Sequence, residues 1–251
     1  MITRRGMILG LVVAPALIKS LPTLASTENA GEDTFYQLTY PSPDELDGFQ
    51  KFGYEPATED EKSKAAEIIK NTPKGPMPID IAQSFVDRFY LVDPKAISQW
   101  PVPESWNPLV VAFFSSTSLR PNNDMVAWCA AFANWCIERS GRNGSRSAAS
   151  QSFLSDKYFK TTDNPNVGDL AIFTCYDKVS GTSLGFGHVA FVKEKPANGR
   201  IRVIGGNQSA DGHYSIISDR YFSTGDRDVR RHVDGKYVAC TMRLNSYITI
   251  V

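Results

Sequence analysis

The chain has no excess of charge with which to attract a polyanion. Its 251 residues carry 27 Lys and Arg against 27 Asp and Glu, so its formal net charge at pH 7 is zero. Binding to nucleic acid or to an acidic membrane surface normally depends on a basic field. We therefore expect no nucleic-acid partner. The length allows either one domain with a full core and extensions, or one domain with a separate, smaller N-terminal unit, and we favour the second.

The chain also lacks an apolar run long enough to span a bilayer. Arg4 and Arg5 precede an apolar segment that Pro15 and Lys19 interrupt before it reaches the roughly 20 residues of a spanning helix. Small residues around Ala25 suit cleavage, so residues 1–25 are predicted to be an export signal, twin-arginine-like in its arginine pair. An uncleaved anchor is the alternative. The expected location is periplasmic or secreted, without stable membrane insertion after signal cleavage.

Cysteine and histidine are scarce, with four and three residues, and none has zinc-finger spacing. Cys129 and Cys136 are seven residues apart on one predicted helix, about 10 Å along its axis, which is beyond the reach of a disulfide. Cys136, Cys175 and Cys240 lie among apolar residues, which favours buried thiols over bridges. We expect no metal and no cofactor.

The N-terminal part reads as an arm followed by two helices, over residues 26–95. A capping-box pattern at Thr58–Glu61 opens a helix that continues through Ile69 and stops before Pro73. Apolar residues at helical spacing predict a second helix over Ile79–Val92. This extension is either a wall-binding or partner-binding module or a helical layer packed on the domain that follows, and we favour the second.

Residues 96–251 change from helical to strand-like patterns. Helices are predicted over 107–114, from Asp124 as N-cap or near-cap to Ser140, and over 147–159. Asn198-Gly199 is a hairpin signal between two strands. An antiparallel sheet that follows helices indicates an α+β fold. The predicted strands are Leu170–Phe173, His188–Val192, Ile201–Ile204 and Tyr237–Cys240.

Three separated residues have the chemistry of a thiol hydrolase. Cys129 follows Trp128 at the start of an apolar helix, where the helix dipole and unpaired N–H groups stabilise a thiolate. His188 opens a strand and could take the thiol proton, and Asn207 ends the strand expected beside it and could orient the imidazole. Asp169 and Asp211 are rival orienters, although Gly168-Asp169 is typical of a turn.

These segments resemble the CHAP amidase/peptidase family, relatives of NlpC-type, papain-like peptidoglycan hydrolases, over roughly residues 100–221. The resemblance rests on Trp128-Cys129-Ala130-Ala131-Phe132, Gly187-His188-Val189 and the later Asn207, in the family's order. It implies a CHAP-like catalytic domain over residues 96–251, in which the helix that carries the nucleophile packs against an antiparallel sheet. The implied roles are Cys129 as nucleophile, His188 as general base and acid, and Asn207 as orienter. Trp128, Gly187 and His213 are the predicted substrate-binding residues.

Export and the resemblance together imply peptidoglycan as the partner and substrate. The expected activity is that of an N-acetylmuramoyl-L-alanine amidase or a peptide endopeptidase acting through an acyl-enzyme. One alternative is a non-catalytic wall-binding protein on the same fold. Another is a toxin-like amidase or transferase aimed at competitor cells. Asn122, Asn123 and Asp124 offer oxygen ligands, but three adjacent loop residues are too few to indicate a calcium site.

Overall fold

Four helices precede the sheet in the described part of the chain. The computed structural model describes residues 57–100, 105–155, 158–210, 214–233 and 236–251. The predicted export signal and most of the predicted arm lie outside these ranges. The helices are α1 (Glu59–Lys70), α2 (Pro78–Phe89), α3 (Pro108–Phe113) and α4 (Cys129–Arg139). Short 3-10 turns cover Pro94–Ile97, Phe114–Ser116 and Ser150–Leu154.

Local signals explain where the helices begin and end. Thr58 caps α1 by accepting from the Glu61 N–H at 3.2 Å, while the Glu61 carboxylate accepts from the Thr58 N–H at 2.7 Å. Helix α4 ends at Arg139 with Ser140 as its C-cap, and the next residue, Gly141, takes a positive φ of 82°. Both helix ends agree with the sequence-based prediction.

The described strands form one antiparallel sheet of seven. In spatial order they run β1-β7-β2-β3-β4-β5, and β6 pairs with the N-terminal part of β7. Asn198 and Gly199 join β3 to β4 with φ of 52° and 72°, so the predicted hairpin turn is present. The strand bounds are β1 (Phe159–Thr162), β2 (Leu170–Asp177), β3 (Ser183–Ala197), β4 (Arg200–Ala210), β5 (Tyr214–Ser223), β6 (Arg227–Val233) and β7 (Lys236–Ile250).

The two faces of the sheet are covered differently. One, here called the helical face, packs in a single apolar cluster with α1 to α4. The other, here called the inner face, forms a second cluster among the strands themselves. The helical face carries Leu170, Ile172, Val189, Phe191 and Ile204. The inner face carries Ala171, Phe173, Cys175, Ala190, Val192, Val203, Phe222, Cys240 and Met242.

The N-terminal helices share the core of the helical face. Phe85 of α2 is fully buried and makes edge contacts with the rings of Phe113, Phe132 and Trp135 at centroid distances of 5.7 to 5.8 Å. Arg139 of α4 donates through Nε to the Pro73 carbonyl, beyond the end of α1. These contacts pack α1 and α2 into the same core as α3 and α4. None of the described helices is long and apolar enough to cross a membrane.

Two expectations about the elements were wrong. Asp124 does not cap α4, because Trp128 is the N-cap and the helix begins at Cys129. Residues 147–159 do not form one helix, because the described part contains only the 3-10 turn Ser150–Leu154, and β1 begins at Phe159. Strands β1, β5 and β6 were not expected from the sequence.

Candidate active site

Cys129 is the first residue of α4 and lies in the core of the helical face. Its exposed fraction is 4%. The first N–H groups of a helix have no carbonyl four residues earlier to bind, so they are available to an anion near the helix start. The residue before Cys129, Trp128, is the N-cap, with φ of −118° and ψ of 10°. The thiol thus begins the helix, which is one of the positions that favour a thiolate.

Trp128 is fully buried and joins α4 to β4 and β5. Its Nε1–H donates to the Ser215 hydroxyl at 3.0 Å. Its ring lies against Gly206, where an added Cβ would come within 2.3 Å of Cζ3. The ring also stacks on Phe113 at a centroid distance of 6.2 Å. All of these contacts are with other residues of the chain. The predicted contact of Trp128 with a substrate stays a prediction.

Asn207 lies at a β-bulge beside this contact. The pairing of β4 with β5 gains one residue between Gly205, opposite Ser218, and Gln208, opposite Ile216. Asn207 takes a φ of 59°, which asparagine tolerates better than most residues. Since Gly206 abuts Trp128, the backbone next to Asn207 lies against the residue that precedes Cys129. The fold therefore brings the Asn207 backbone close to the start of α4.

His188 lies in β3 and is 1% exposed. It is paired across strands with Phe173, and its ring packs 6.3 Å from the Phe173 ring and 5.7 Å from the Phe222 ring. Both phenylalanines belong to the inner face. Alternation along β3 places Val189 on the helical face, in the cluster that contains Cys129. The imidazole thus packs on the inner face, and Cys129 packs on the helical face.

Gly187, which precedes His188, allows a close approach of two strands. A Cβ there would lie 1.9 Å from the Phe173 carbonyl oxygen and 3.0 Å from Nε2 of Gln151. Gln151 donates to that carbonyl at 3.0 Å and accepts from the Thr174 hydroxyl at 2.6 Å. Only glycine fits at position 187. The close packing of the two strands is enough to explain the glycine at this position. The predicted role of Gly187 in substrate binding stays a prediction.

Asp124 holds the loop that leads into α4. Its Oδ2 accepts from the Trp100 N–H at 3.0 Å and from the Asn107 N–H at 2.9 Å. Burial is the main influence on this carboxyl and raises its pKa from 3.8 to about 6, although these N–H groups act in the opposite direction. Its Oδ1 is buried and has no hydrogen-bond partner among the described residues. Sequence reasoning assigned this residue a cap and missed its role as a link between distant segments.

Two further buried polar residues at the site had no role in the sequence analysis. Gln208 is fully buried, and its amide lies 2.7 Å from the Ser218 hydroxyl. Ser215 is fully buried, and its hydroxyl binds Trp128. A sequence signal for Gln208 exists, because it belongs to the run Gly205-Gly206-Asn207-Gln208. Nothing in the local sequence marks Ser215, because its partner lies 87 residues earlier.

The remaining candidates have simpler positions. Asp169 accepts from the Asn166 N–H at 2.7 Å in the turn before β2. His213 and Asp211 lie outside the described residues. All four cysteines lie in the described ranges, are buried and form no disulfide, and burial raises the pKa of the Cys136 thiol well above its ordinary value. Within those ranges no group of three or more His, Cys, Asp or Glu side chains could hold a metal ion.

An α+β fold with helices on one face of an antiparallel sheet is the architecture expected of a CHAP domain. Residues 121–207 match the family model described as CHAP domain, about a third of the chain. The match contains Cys129, His188 and Asn207, and it supports a CHAP-domain family protein. CHAP domains are typically hydrolases that act on peptidoglycan. No curated protein and no solved structure matches the chain.

Proposed function

We propose that the protein is an exported cysteine hydrolase that cleaves amide bonds of peptidoglycan. The observation that carries the proposal is the position of Cys129 as the first residue of α4, inside the segment that matches the CHAP domain. The substrate would be either the bond between N-acetylmuramic acid and L-alanine or a bond within the peptides. Its place of action would be the periplasm or the cell exterior.

The proposed reaction has two steps through an acyl-enzyme. His188 takes the proton of the Cys129 thiol, the resulting thiolate attacks the amide carbonyl carbon, and the oxyanion is stabilised by N–H groups at the start of α4. His188 protonates the leaving amine, and a C–N bond breaks as the C–S bond remains. His188 then takes a proton from water, whose oxygen displaces the thiolate and releases the acid. Asn207 orients the imidazole in this scheme.

This scheme requires the imidazole and the sulfur to meet, which sets a condition on β3. In the structure the His188 ring packs against Phe173 and Phe222 of the inner face. The proposal therefore needs the imidazole to reach the start of α4 from this packing. Gly185, with φ of 74°, lies three residues before His188 and is a point where the backbone can turn.

The same packing favours a second candidate function, that of a non-catalytic wall-binding protein on the same fold. In that case His188 would be a buried residue of the inner face, and Cys129 would be a core thiol at a helix start. A toxin-like amidase or transferase would use the same acyl-enzyme, so it is distinguished by its substrate and acceptor.

Incubation of purified protein with peptidoglycan, followed by mass spectrometry of the products, separates these functions. New amino termini alone indicate an endopeptidase, new amino termini together with freed lactyl groups an amidase, and new amide bonds a transferase. The hydrolase proposal expects Cys129→Ala and His188→Ala to abolish these products, while Cys136→Ala, at a buried thiol two turns further along α4, retains them. Binding to peptidoglycan without cleavage by the wild-type protein supports the wall-binding function.

A further inference from the structure

The indole of Trp128 fills a closed space between two strands and the start of α4. Its Nε1–H bonds to Ser215 of β5, and its Cζ3 and Cε3 atoms lie against Gly206 of β4. A Cβ at position 206 would lie 2.3 and 2.7 Å from these two ring atoms. The space therefore fits the indole closely, and the ring cannot move towards β4 without displacing the bulge.

Ser215 is itself held by a second segment of the chain. Its carbonyl accepts from the Gln99 N–H at 2.8 Å, and the neighbouring Ile216 forms a bridge with Ser98. The serine is fully buried, as is the indole that it binds. A buried indole N–H that loses its acceptor costs free energy, so the hydroxyl selects one position of the ring.

We propose that Ser215 is a positioning residue for the Cys129 thiol. Through Trp128 it fixes the first turn of α4 against the bulge that carries Asn207. This inference deepens the proposed function and rests on it for the effect on turnover. The effect on the reactivity of the thiol does not depend on peptidoglycan as the substrate, because the start of α4 supplies the N–H groups that stabilise a thiolate.

A pair of variants isolates the hydroxyl. Ser215→Thr keeps it, and Ser215→Val has nearly the same shape as threonine without it. Ser218→Val is the matched control, since Ser218 is a buried serine of the same strand whose hydroxyl bonds to Gln208. All variants are compared by their unfolding in urea, so that a general loss of stability is measured separately.

Two readouts follow the thiol itself. The first is the pH profile of Cys129 alkylation by iodoacetamide in the folded protein, located by peptide mass spectrometry. Cys136, Cys175 and Cys240 are fully buried, and Cys129→Ala gives the background. The second is kcat and KM for release of peptidoglycan fragments.

The expected result separates valine from threonine. Ser215→Val moves the midpoint of the alkylation profile to higher pH and lowers kcat about tenfold or more with little change in KM, because small misplacements of a nucleophile are costly. The kcat of Ser215→Thr stays within about twofold of that of the wild type, and a difference of this size is too small to indicate a loss of positioning. Should Ser215→Val fail to fold, Trp128→Phe removes the same donor and is expected to shift the profile in the same direction.

Equal behaviour of Ser215→Val and Ser215→Thr would overturn the proposal. So would a shift of the same size in Ser218→Val, because that change does not touch the indole. If the wild-type protein cleaves no peptidoglycan, the proposed function fails, and the alkylation profile still decides whether Ser215 positions the thiol. A wild-type Cys129 that resists alkylation at every pH would also overturn the proposal.

Discussion

Neutralising the buried Asp124 carboxyl is expected to change how stability depends on pH. Burial raises the pKa of this group to about 6 in the folded state from an ordinary 3.8. The folded protein therefore binds the proton more tightly than the unfolded chain. Between these two values the unfolding free energy falls as pH rises, by roughly 3 kcal/mol in total, since one pKa unit corresponds to about 1.4 kcal/mol.

Asp124→Asn removes this dependence and keeps the shape. The amide oxygen of asparagine can still accept from the N–H groups of Trp100 and Asn107, which both bind one carboxylate oxygen. The new amide nitrogen takes the place of Oδ1, in a region where the Gln99 Oε1 is also buried and has no hydrogen-bond partner in the part of the chain that the structure describes. The unfolding free energy of the variant minus that of wild type is expected to rise by roughly 3 kcal/mol between about pH 3.5 and about pH 7.

Urea unfolding at several pH values measures this difference. Asp177→Asn is the control, because hydrogen bonds from Ser180 hold the pKa of the exposed Asp177 carboxyl below its usual value. For this control the expected effect has the opposite sign. The unfolding free energy of wild type rises relative to that of Asp177→Asn as pH rises. A difference between Asp124→Asn and wild type that stays constant from about pH 3.5 to about pH 7 would refute the reasoning.

Three other substitutions test the packing. Thr58→Ala removes the α1 cap and is expected to cost about 1 kcal/mol of unfolding free energy; no change in urea would contradict the capping role. Phe85→Ala empties the centre of the helical cluster and should cost roughly 3–5 kcal/mol, and a loss below about 1 kcal/mol would mean that α2 is not part of this core. Gly206→Ala should cost roughly 1–3 kcal/mol of unfolding free energy through the clash with the indole. The control Gly225→Ala, where an added Cβ has one atom within 4 Å, should be close to neutral. Equal losses of unfolding free energy at the two glycines would count against the close fit.

Local signals in the sequence located much of the fold. The capping box at Thr58 and the Asn198-Gly199 turn each depend on a few adjacent residues, and both are present. Strand β6 was missed because its sequence, Arg227–Val233, is rich in charged residues and its pairing is with β7. The 15-residue β7 was predicted only over Tyr237–Cys240, because its length depends on partners in three other strands.

The side of the sheet on which His188 packs could not be read from the sequence. Val189 and Phe191 are apolar and face the helices, but Ala190 and Val192 are equally apolar and face inward. A strand buried on both faces has no alternation of polar and apolar residues to show which face is which. The Ser215 contact with Trp128 was equally hidden, since it joins residues far apart in the chain. The pairing of Cys129 with His188 and Asn207 stays a prediction.

The most direct test of the central claim is the release of soluble peptidoglycan fragments by the wild-type protein and by Cys129→Ala. Both proteins are first matched by their urea unfolding, so that loss of activity reports chemistry and not folding. The hydrolase account predicts new termini with the wild type and none above background with Cys129→Ala. Equal release by the two proteins would contradict it.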